Sequence, residues 1–294
     1  MTPTLVRHHR DADPSAPADA GTRARDWAEI QERMLAPLYE AVYDRLEVGA
    51  ATRMLSLGCG SGLAMLIAAA RGAHVTGVDS DRERLALARA RLLPGADWDD
   101  APAHSAQPAR SRARLLEDGG AAASGADGAT YDLITVFEPI GCAAGDSEGL
   151  VPALESAVPL AARGATVVLT GWGPPERCAT AAVLRVAARL AESARPPRTA
   201  SGGWRPTLRD ELEEVASRAG LKPDGSGRVS CPFGYADVGS AVRGLLSTGL
   251  FDAAVRATDR SQVEKEVAEA LHPYRRPDGT VWMPNVFRYL VCVT

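Results

Sequence analysis

The stretch Arg53-Met54-Leu55-Ser56-Leu57-Gly58-Cys59-Gly60-Ser61-Gly62 decides the fold of this chain. Its first half is a short apolar run typical of a buried strand, and its second half has glycine at every other position. Glycine permits a tight turn and a close approach of a ligand to the backbone. Residues 63–71, which follow, are rich in Ala and Leu and have a helical pattern. The sequence therefore predicts a strand, a glycine loop and a helix, and the loop is either a ligand-binding loop or an ordinary tight turn.

A second strand and a second helix follow this unit. The strand at 74–78 ends at Asp79, which lies 21 residues after Gly58, and residues 82–92 form the next predicted helix. A carboxylate at the end of this strand can accept hydrogen bonds from ribose hydroxyls. Strands that alternate with helices predict a parallel sheet with helices on both faces. Position 63 is Leu63 instead of the last glycine of the G-x-G-x-x-G pattern, which disfavours a nicotinamide-dependent oxidoreductase.

Further strands are predicted along the rest of the chain. They are residues 112–116, 131–137, 164–171, 228–233 and 287–293. The strand at 164–171 is almost entirely apolar, as expected at the centre of a sheet that is covered on both faces. Helical patterns lie between the strands, and the longest of them covers 238–271. We therefore expect a helical insertion before the last strand, with residues 234–285 forming a cap.

The N-terminal segment is expected to form a lid. Residues 1–23 are polar and lack apolar periodicity, which favours a mobile arm. A helical pattern that includes Trp27 comes next, and Pro37 interrupts it, so two short helices or a kink are predicted. We therefore divide the chain into a mobile arm with lid helices at 1–46 and a main cofactor-binding domain at 47–294.

Composition and charge limit the classes of function. The chain has 294 residues, of which 46% are hydrophobic, and its formal net charge is −4. A slightly acidic chain argues against nucleic acid as a partner, because phosphate binding needs a basic surface. The longest apolar run, Leu63–Ala70, has eight residues, whereas roughly 20 are needed to cross a membrane. Five scattered cysteines without a C-x-x-C pair favour neither a disulfide framework nor a metal site, so we expect a cytoplasmic protein.

Three motifs resemble those of one enzyme family. Residues 55–62, the stretch Gly77-Val78-Asp79-Ser80 and the strand 131–137 are similar to motifs of class I S-adenosylmethionine-dependent methyltransferases. Residues 172–176 and 285–289 resemble a bacterial subgroup that acts on small molecules. The resemblance implies an α/β fold with a Rossmann-like seven-stranded sheet of order 3-2-1-4-5-7-6, in which the last strand is antiparallel. It also implies S-adenosyl-L-methionine as the cofactor.

The same resemblance implies roles for particular residues. Those implied to bind the cofactor are Gly58, Cys59, Gly60, Gly62, Asp79, Ser80, Asp118, Gly119 and Phe137. The glycine loop would lie under the methionine and ribose portions, and Asp79 would bind the ribose hydroxyls. Ser80 would lie beside the adenosine, and Phe137 would line the sulfonium pocket. Asp118 and Gly119 would meet the adenine edge, unless Asp118 is an ordinary loop carboxylate.

Two residues depart from the family pattern. Ser56 stands where many members carry an acid that helps to hold the methionine amine, and Glu138 stands where many relatives carry asparagine. Glu138 follows a central strand, where open α/β sheets bind their ligands. We interpret Glu138 as a catalytic base or as an anchor for a substrate amine; the alternative is an acid that stabilises a helix N-terminus. Trp27 and Trp172 are expected near the substrate, with core packing as the alternative.

The predicted reaction is methyl transfer to an O, N or C nucleophile of a small molecule, in biosynthetic secondary metabolism. The acceptor attacks the methyl carbon opposite to sulfur, so the protein mainly aligns the reactants and excludes water. A methyltransferase-like fold that keeps the cofactor but acts as a cyclase or isomerase is the first alternative. An NAD-dependent oxidoreductase and a non-catalytic binding protein are the others. A homodimer is compatible with the sequence.

Overall fold

A seven-stranded sheet forms the centre of the protein. The structure is a computed structural model that describes residues 20–93, 112–117, 130–143, 145–193 and 210–294. In chain order the sheet contains β1 (Arg53–Leu57), β2 (His74–Asp79), β3 (Ala113–Glu117), β4 (Tyr131–Ile140), β5 (Ala161–Trp172), β6 (Lys222–Ser230) and β9 (Val286–Val293). A separate ribbon contains β7 (Phe233–Tyr235) and β8 (Val281–Met283).

The strands of the sheet lie in the order β3-β2-β1-β4-β5-β9-β6. The first five strands of the chain pair in parallel, whereas β9 is antiparallel to both β5 and β6. Counted among the sheet strands alone, β9 is the seventh. The predicted order 3-2-1-4-5-7-6 with an antiparallel last strand is therefore confirmed. Because β2, β1 and β4 are parallel neighbours, their carboxyl ends meet at one edge of the sheet.

Helices cover both faces of the sheet. In chain order they are α1 (Ala20–Asp26), α2 (Ala36–Arg45), α3 (Leu63–Ala70), α4 (Arg82–Leu92), α5 (Leu150–Ala157), α6 (Thr180–Ser193), α7 (Glu211–Arg218), α8 (Val238–Ser247), α9 (Asp252–Ala257) and α10 (Arg260–Ala270). Successive side chains of a strand point to opposite faces. Met54 accordingly belongs to a core with α2, α3 and α6, whereas Leu55 belongs to a second core with α5 and α7.

Gly77 allows helix α3 to lie close to β2. It pairs with Ser56 of β1 and with Leu115 of β3, in the interior of the sheet. A Cβ atom added at Gly77 would collide with Met65 and would lie 2.9 Å from the Cys59 sulfur. Both of these side chains are buried in the core, so neither has open space into which it can move.

Replacing Gly77 by Ala is expected to lower the free energy of unfolding by about 1–3 kcal/mol, the usual effect of overpacking a dense core. The measurement is urea unfolding of the variant and the wild type, with the midpoint and the slope compared. Gly149→Ala is the control, because a Cβ there meets nothing within 4 Å. Equal stability of Gly77→Ala and the wild type would contradict the tight packing described for α3.

The N-terminal segment is helical throughout its described part, but its helix type changes twice. Between α1 and α2 it forms a π-helical turn at Trp27–Gln31 and a 3-10 turn at Glu32–Leu35. Pro37 lies in the first turn of α2, where its missing N–H leaves no helical hydrogen bond unmade. The helix is therefore not broken at Pro37, although the sequence led us to expect a break there. Instead its type changes just before this residue. Single π-helical turns frequently occur at functional sites.

The insertion between β6 and β9 contains α8, α9 and α10, as the sequence predicts, and also the ribbon of β7 and β8, which has no clear sequence signal. Two ion pairs join the insertion to the N-terminal segment. Arg23 lies 3.0 Å from Asp252, and Arg243 lies 3.5 Å from Asp26. Helix α8 also packs against the π-helical turn. The described part of the N-terminal segment is therefore packed against the insertion.

Strand β6 differs from the predicted strand at 228–233. It starts at Lys222 and ends at Ser230, and Phe233 already belongs to β7. The first residues of β6 are rich in glycine, serine and proline, which have low strand propensity. They are extended because β9 supplies a hydrogen-bonding partner along their length. A position at the edge of the sheet tolerates such residues.

All five cysteines are buried, and none forms a disulfide. Burial raises the pKa of the Cys59 and Cys231 thiols to about 12. Because the thiolate is the reactive form, both side chains behave as small apolar groups. No helix within the described ranges is long and apolar enough to cross a membrane.

Candidate functional site

The glycine loop between β1 and α3 has three residues in the left-handed region. The φ angles are +63° at Gly58, +57° at Gly60 and +80° at Gly62. Residues with a side chain rarely adopt these angles. The Cys59 N–H donates to the Val78 carbonyl at 3.0 Å and ties the loop to β2. The Cys59 side chain is buried, as expected of a packing residue, so the loop presents mainly its backbone.

Asp79 ends β2 directly beside this loop. Its Oδ2 accepts a hydrogen bond from the Gly60 N–H at 2.7 Å, and its Oδ1 accepts one from the Asp81 N–H at 2.8 Å. Each carboxylate oxygen has two acceptor positions, so each keeps one for a ligand. Ser80 follows and is exposed. The structure thus brings together the glycine loop and the strand-end acid that the sequence singled out.

Glu138 lies near the carboxyl end of β4, on the other side of the loop. Its Oε2 is 3.7 Å from the position that a Cβ on Gly58 would take. The pairing of β4 with β5 shifts register between Val136 and Ile140, and such irregularities often redirect side chains beside active sites. The interpretation of Glu138 as an acid at a helix N-terminus is wrong, because β4 continues to Ile140 and α5 begins only at Leu150.

The surroundings of Glu138 raise the pKa of its carboxyl group. The residue is exposed at the surface, yet the protein around its carboxyl group removes enough water for desolvation to be the largest cause of the raised pKa. Arg84 opposes this effect, whereas the charges of Asp79 and Asp146 raise the pKa further. An accessible carboxyl group with a raised pKa, at the ligand-binding edge of a sheet, is suited to act as a general base.

Asp146 fixes the chain that follows β4. Its Oδ2 accepts hydrogen bonds from the N–H groups of Gly141, Cys142 and Ala143, at 2.8, 3.0 and 3.0 Å. Gly141 has a φ angle of +99°, which allows the backbone to turn so that three N–H groups converge on one oxygen. The Asp146 carboxylate therefore holds residues 141–143, which directly follow the strand end that carries Glu138.

Two of the aromatic residues assigned to the pocket are buried. The ring of Phe137 packs on Tyr39 of α2, with centroids 4.7 Å apart, and so joins the N-terminal segment to the end of β4. The ring of Trp172 contacts Phe233 and Phe287, at centroid distances of 6.1 and 4.7 Å. This aromatic cluster favours the core-packing interpretation of Trp172, and we leave it out of the proposed site.

Four residues, Trp27, Glu32, Ser61 and Arg91, form a cluster over the glycine loop, which we call the Glu32 cluster. Glu32 Oε2 accepts hydrogen bonds from the Ser61 hydroxyl and, at 2.9 Å, from Arg91 Nη1. Arg91 also donates to the Ser61 carbonyl at 2.9 Å. The indole nitrogen of Trp27 lies 3.4 Å from the position of a Cβ on Gly60. The predicted lid residue Trp27 is thus next to the loop.

Sequence reasoning missed Glu32 and Arg91. The sequence offered one signal for Glu32, namely an acid close to the apolar residues Met34 and Leu35 in a helical segment. All three of these residues are buried. A buried polar residue is more informative than an exposed apolar one. Arg91 gave no such signal, since it is one of several arginines in α4.

Some predicted site residues lie outside the part of the chain that the structure describes. They are Asp118 and Gly119, expected at the adenine edge, and residues 1–19 of the arm. Strand β3 ends just before them at Glu117, which pairs with Asp79. Within the described ranges, no group of His, Cys, Asp and Glu side chains is arranged to hold a metal ion.

A known family matches the part of the chain that contains the glycine loop. Residues 55–121 match the methyltransferase domain family, and this part of the chain runs from β1 through the glycine loop and Asp79 to β3. This part of the chain is therefore similar to a methyltransferase domain, and the sheet order is the one that the family resemblance implied. The sheet order confirms the predicted fold, and the match supports the predicted enzyme class and cofactor. A comparison with curated proteins gives no match.

Several solved structures are similar to this chain. A candidate methyltransferase from Bacillus halodurans has a TM-score of 0.50 at 11% identity, covering 87% of this chain and 97% of its own. YjhP from E. coli has a TM-score of 0.48 at 16% identity, covering 92% and 98%. A SAM-dependent methyltransferase from Geobacter sulfurreducens, in complex with S-adenosylhomocysteine, has a TM-score of 0.44 at 17% identity, covering 94% and 99%. At such identities the likeness concerns the fold alone.

Proposed function

We propose that this protein transfers a methyl group from S-adenosylmethionine to an O, N or C nucleophile of a small molecule. One observation carries the proposal: the Gly60 N–H of the left-handed loop donates directly to the Asp79 carboxylate, at 2.7 Å. This contact places the glycine loop, of which Gly58 is exposed, next to a strand-end acceptor. An S-adenosyl group matches these two features, because its ribose diol can donate to the Asp79 carboxylate while the chain that carries its sulfur lies along the glycine loop.

The residues around the loop fit this cofactor. A Cβ on Gly60 would lie 3.1 Å from Glu32 and 3.4 Å from Trp27, so only glycine lets these two side chains lie this close to the loop backbone. The Trp27 indole N–H is buried, and no described residue accepts a hydrogen bond from it. An unpaired buried donor is unfavourable, and a ligand in this position would satisfy it.

The proposal assigns the cofactor-binding residues as follows. Gly58, Cys59, Gly60 and Gly62 would contribute backbone under the methionine and ribose, Asp79 would bind the ribose hydroxyls, and Ser80 would lie beside the adenosine. Phe137 would form the apolar wall behind the sulfonium, together with Tyr39, on which its ring packs. Asp118 and Gly119 stay a prediction for the adenine edge.

The chemistry assigned to the chain concerns the acceptor. The cofactor supplies an activated methyl group whose leaving group is a neutral thioether, so no acid is required at sulfur. Glu138, with its raised pKa, would take the proton of the acceptor or hold an acceptor amine. The cap formed by the N-terminal segment and the insertion would exclude water from the reacting atoms. Alignment of the two reactants can supply about 7–11 kcal/mol of the barrier reduction.

The test is a product measurement. The protein is incubated with S-adenosylmethionine and a panel of small molecules that carry hydroxyl, amine or enol nucleophiles, and S-adenosylhomocysteine is quantified. Formation of S-adenosylhomocysteine in step with a methylated product supports the proposal. Conversion of an acceptor without S-adenosylhomocysteine would overturn it in favour of the cyclase or isomerase alternative. Cofactor binding without conversion of any acceptor would favour a binding protein.

Asp79→Ala is expected to weaken the binding of S-adenosylhomocysteine by at least about tenfold, because hydrogen bonds to a charged carboxylate contribute about 1.5–3 kcal/mol. Isothermal titration calorimetry measures the change. Asp132→Ala is the control, since Asp132 lies at the opposite end of β4 and accepts a hydrogen bond from the Arg53 N–H at 3.0 Å. Unchanged affinity in Asp79→Ala would remove this residue from the site.

The other functional details are also part of the proposal. A small-molecule substrate and a biosynthetic role are proposed from the sequence resemblance. The homodimer, the absence of nucleic acid partners and the cytoplasmic location stay predictions, which light scattering, nucleic acid binding assays and cell fractionation would test. The lid role of residues 1–46 and the cap role of 234–285 are proposed on the same basis.

A further inference from the structure

A buried acid lies directly on the glycine loop. Glu32 is 3% exposed, and its Oε2 is bonded to the Ser61 hydroxyl and to Arg91 Nη1. Burying a carboxylate is unfavourable unless charged or hydrogen-bonding partners compensate. Strand β1 contributes no acid here, because the residue two positions before the loop is Ser56. Besides Asp79, which accepts from the Gly60 N–H, the negative charge beside Ser61 therefore comes from the N-terminal segment.

A neutral donor points to the same place. Glu32 Oε1 lies 3.1 Å, and Trp27 Nε1 lies 3.4 Å, from the position that a Cβ on Gly60 would take. The Trp27 nitrogen is buried, and none of the residues in the described ranges accepts a hydrogen bond from it. Arg91 is bonded to Ser61, the next residue of the loop. An anion, a cation and an unpaired N–H donor thus surround one small region of the loop backbone.

We propose that Glu32, Arg91 and Trp27 bind the amino-acid end of the cofactor, an inference that rests on the proposed function. This end carries an ammonium group and a carboxylate. The ammonium group needs an anionic acceptor, which Glu32 supplies, and the carboxylate needs donors, which the Arg91 guanidinium and the Trp27 indole supply. The ligand would replace the Ser61 hydroxyl as a partner of Glu32. Binding at the loop is thereby linked to the position of the N-terminal segment.

A purely structural role is the competing explanation. The Glu32 and Arg91 pair would then only fasten the N-terminal segment to the end of α4. Two ligands separate the explanations. S-adenosylhomocysteine carries the amino-acid end, whereas 5′-methylthioadenosine has the same adenosine and thioether but lacks that end. A structural role affects both ligands alike, and a binding role affects only the first.

The experiment is calorimetric titration of the full chain with both ligands. Glu32→Gln removes the charge at almost constant shape, and Trp27→Phe removes the N–H but keeps an aromatic ring. Each variant is expected to bind S-adenosylhomocysteine roughly tenfold or more weakly, and methylthioadenosine within about twofold of the wild type. Glu29→Gln is the control, because Glu29 lies on the same π-helical turn but is exposed, and it should bind both ligands as the wild type does.

Several results would overturn the inference. If both variants bind both ligands more weakly by the same factor, the cluster has a structural role. If their affinity for S-adenosylhomocysteine is unchanged, the cluster is not part of the site. Equal affinity of the wild type for the two ligands would overturn the inference and leave the proposed function intact. If the wild type binds neither ligand, the proposed function itself fails. Should Glu32→Gln not fold, Trp27→Phe provides the same comparison.

Discussion

Gly60→Val is expected to abolish measurable binding of S-adenosylhomocysteine, which corresponds to an affinity loss of at least about a hundredfold. Gly60 has a φ angle of +57°, where a β-branched residue is a genuine outlier. Its first side-chain atom would already lie 3.1 Å from Glu32 and 3.4 Å from Trp27, and the methyl groups of valine would reach further. The variant therefore either distorts the loop or pushes Glu32 and Trp27 away from it.

The control for this variant separates strain from the loss of the site. Gly220 has a φ angle of +72° and nothing within 4 Å of an added Cβ, so Gly220→Val introduces comparable backbone strain away from the loop. Calorimetric titration and thermal unfolding are measured for both variants. Retained binding in Gly60→Val would contradict the loop as the cofactor site. Equal loss in both variants would show that strain alone accounts for the effect.

Glu138→Gln is expected to lower turnover by about 10²–10⁴, the range that general base catalysis usually contributes. The substitution keeps the shape of the side chain and removes the ability to take up a proton. Binding of S-adenosylhomocysteine should stay within about twofold of the wild type, because the glycine loop and Asp79 are untouched. The measurement is the rate of S-adenosylhomocysteine formation with a saturating acceptor found by the product assay. Glu148→Gln, at an exposed neighbouring acid, is the control.

The pH dependence gives a second readout for Glu138. A base acts in its ionised form, so the turnover of the wild type should rise with pH through the raised pKa of Glu138, and this rise should be absent in Glu138→Gln. The stability of the folded protein should change with pH in the opposite direction to turnover. Because the folded protein holds this proton more tightly than the unfolded chain, the free energy of unfolding falls as pH rises from the ordinary carboxyl pKa through the raised one.

The melting temperature of Glu138→Gln should therefore equal or exceed that of the wild type near neutral pH. A lower melting temperature together with weaker cofactor binding would indicate that the carboxylate has a structural role. If the substitution leaves turnover unchanged, Glu138 is not the base, and the acceptor loses its proton to water.

The sheet was predictable from the sequence because its central strands carry strong local signals. Residues 55–62 combine an apolar strand with glycines that need left-handed angles, and the order of the strands follows from the family that this stretch resembles. Strand β6 was placed wrongly, because its glycine- and serine-rich start has no local preference for a strand. It is extended through pairing with β9, and a partner so distant in the chain leaves no mark on local composition.

The candidate site was predictable where a single element determines the position of a residue. Asp79 ends β2 and Glu138 lies near the end of β4, and both strands are parallel neighbours of β1, so their meeting at one edge follows from the topology. Glu32 and Arg91 are 59 residues apart, and no spacing rule connects them. Trp172 illustrates another limit, because a shift of one residue along a strand moves a side chain to the opposite face.

Strand β9 lies between β5 and β6, but the chain supplies it after both of them and after the whole insertion. As the chain leaves the ribosome, β5 therefore presents an open edge, and β6 has no partner in the sheet until β9 arrives. Pairings between such distant segments form slowly, and open edges invite pairing with another nascent chain. The soluble yield of this protein in a cell therefore depends on how quickly its last strand enters the gap.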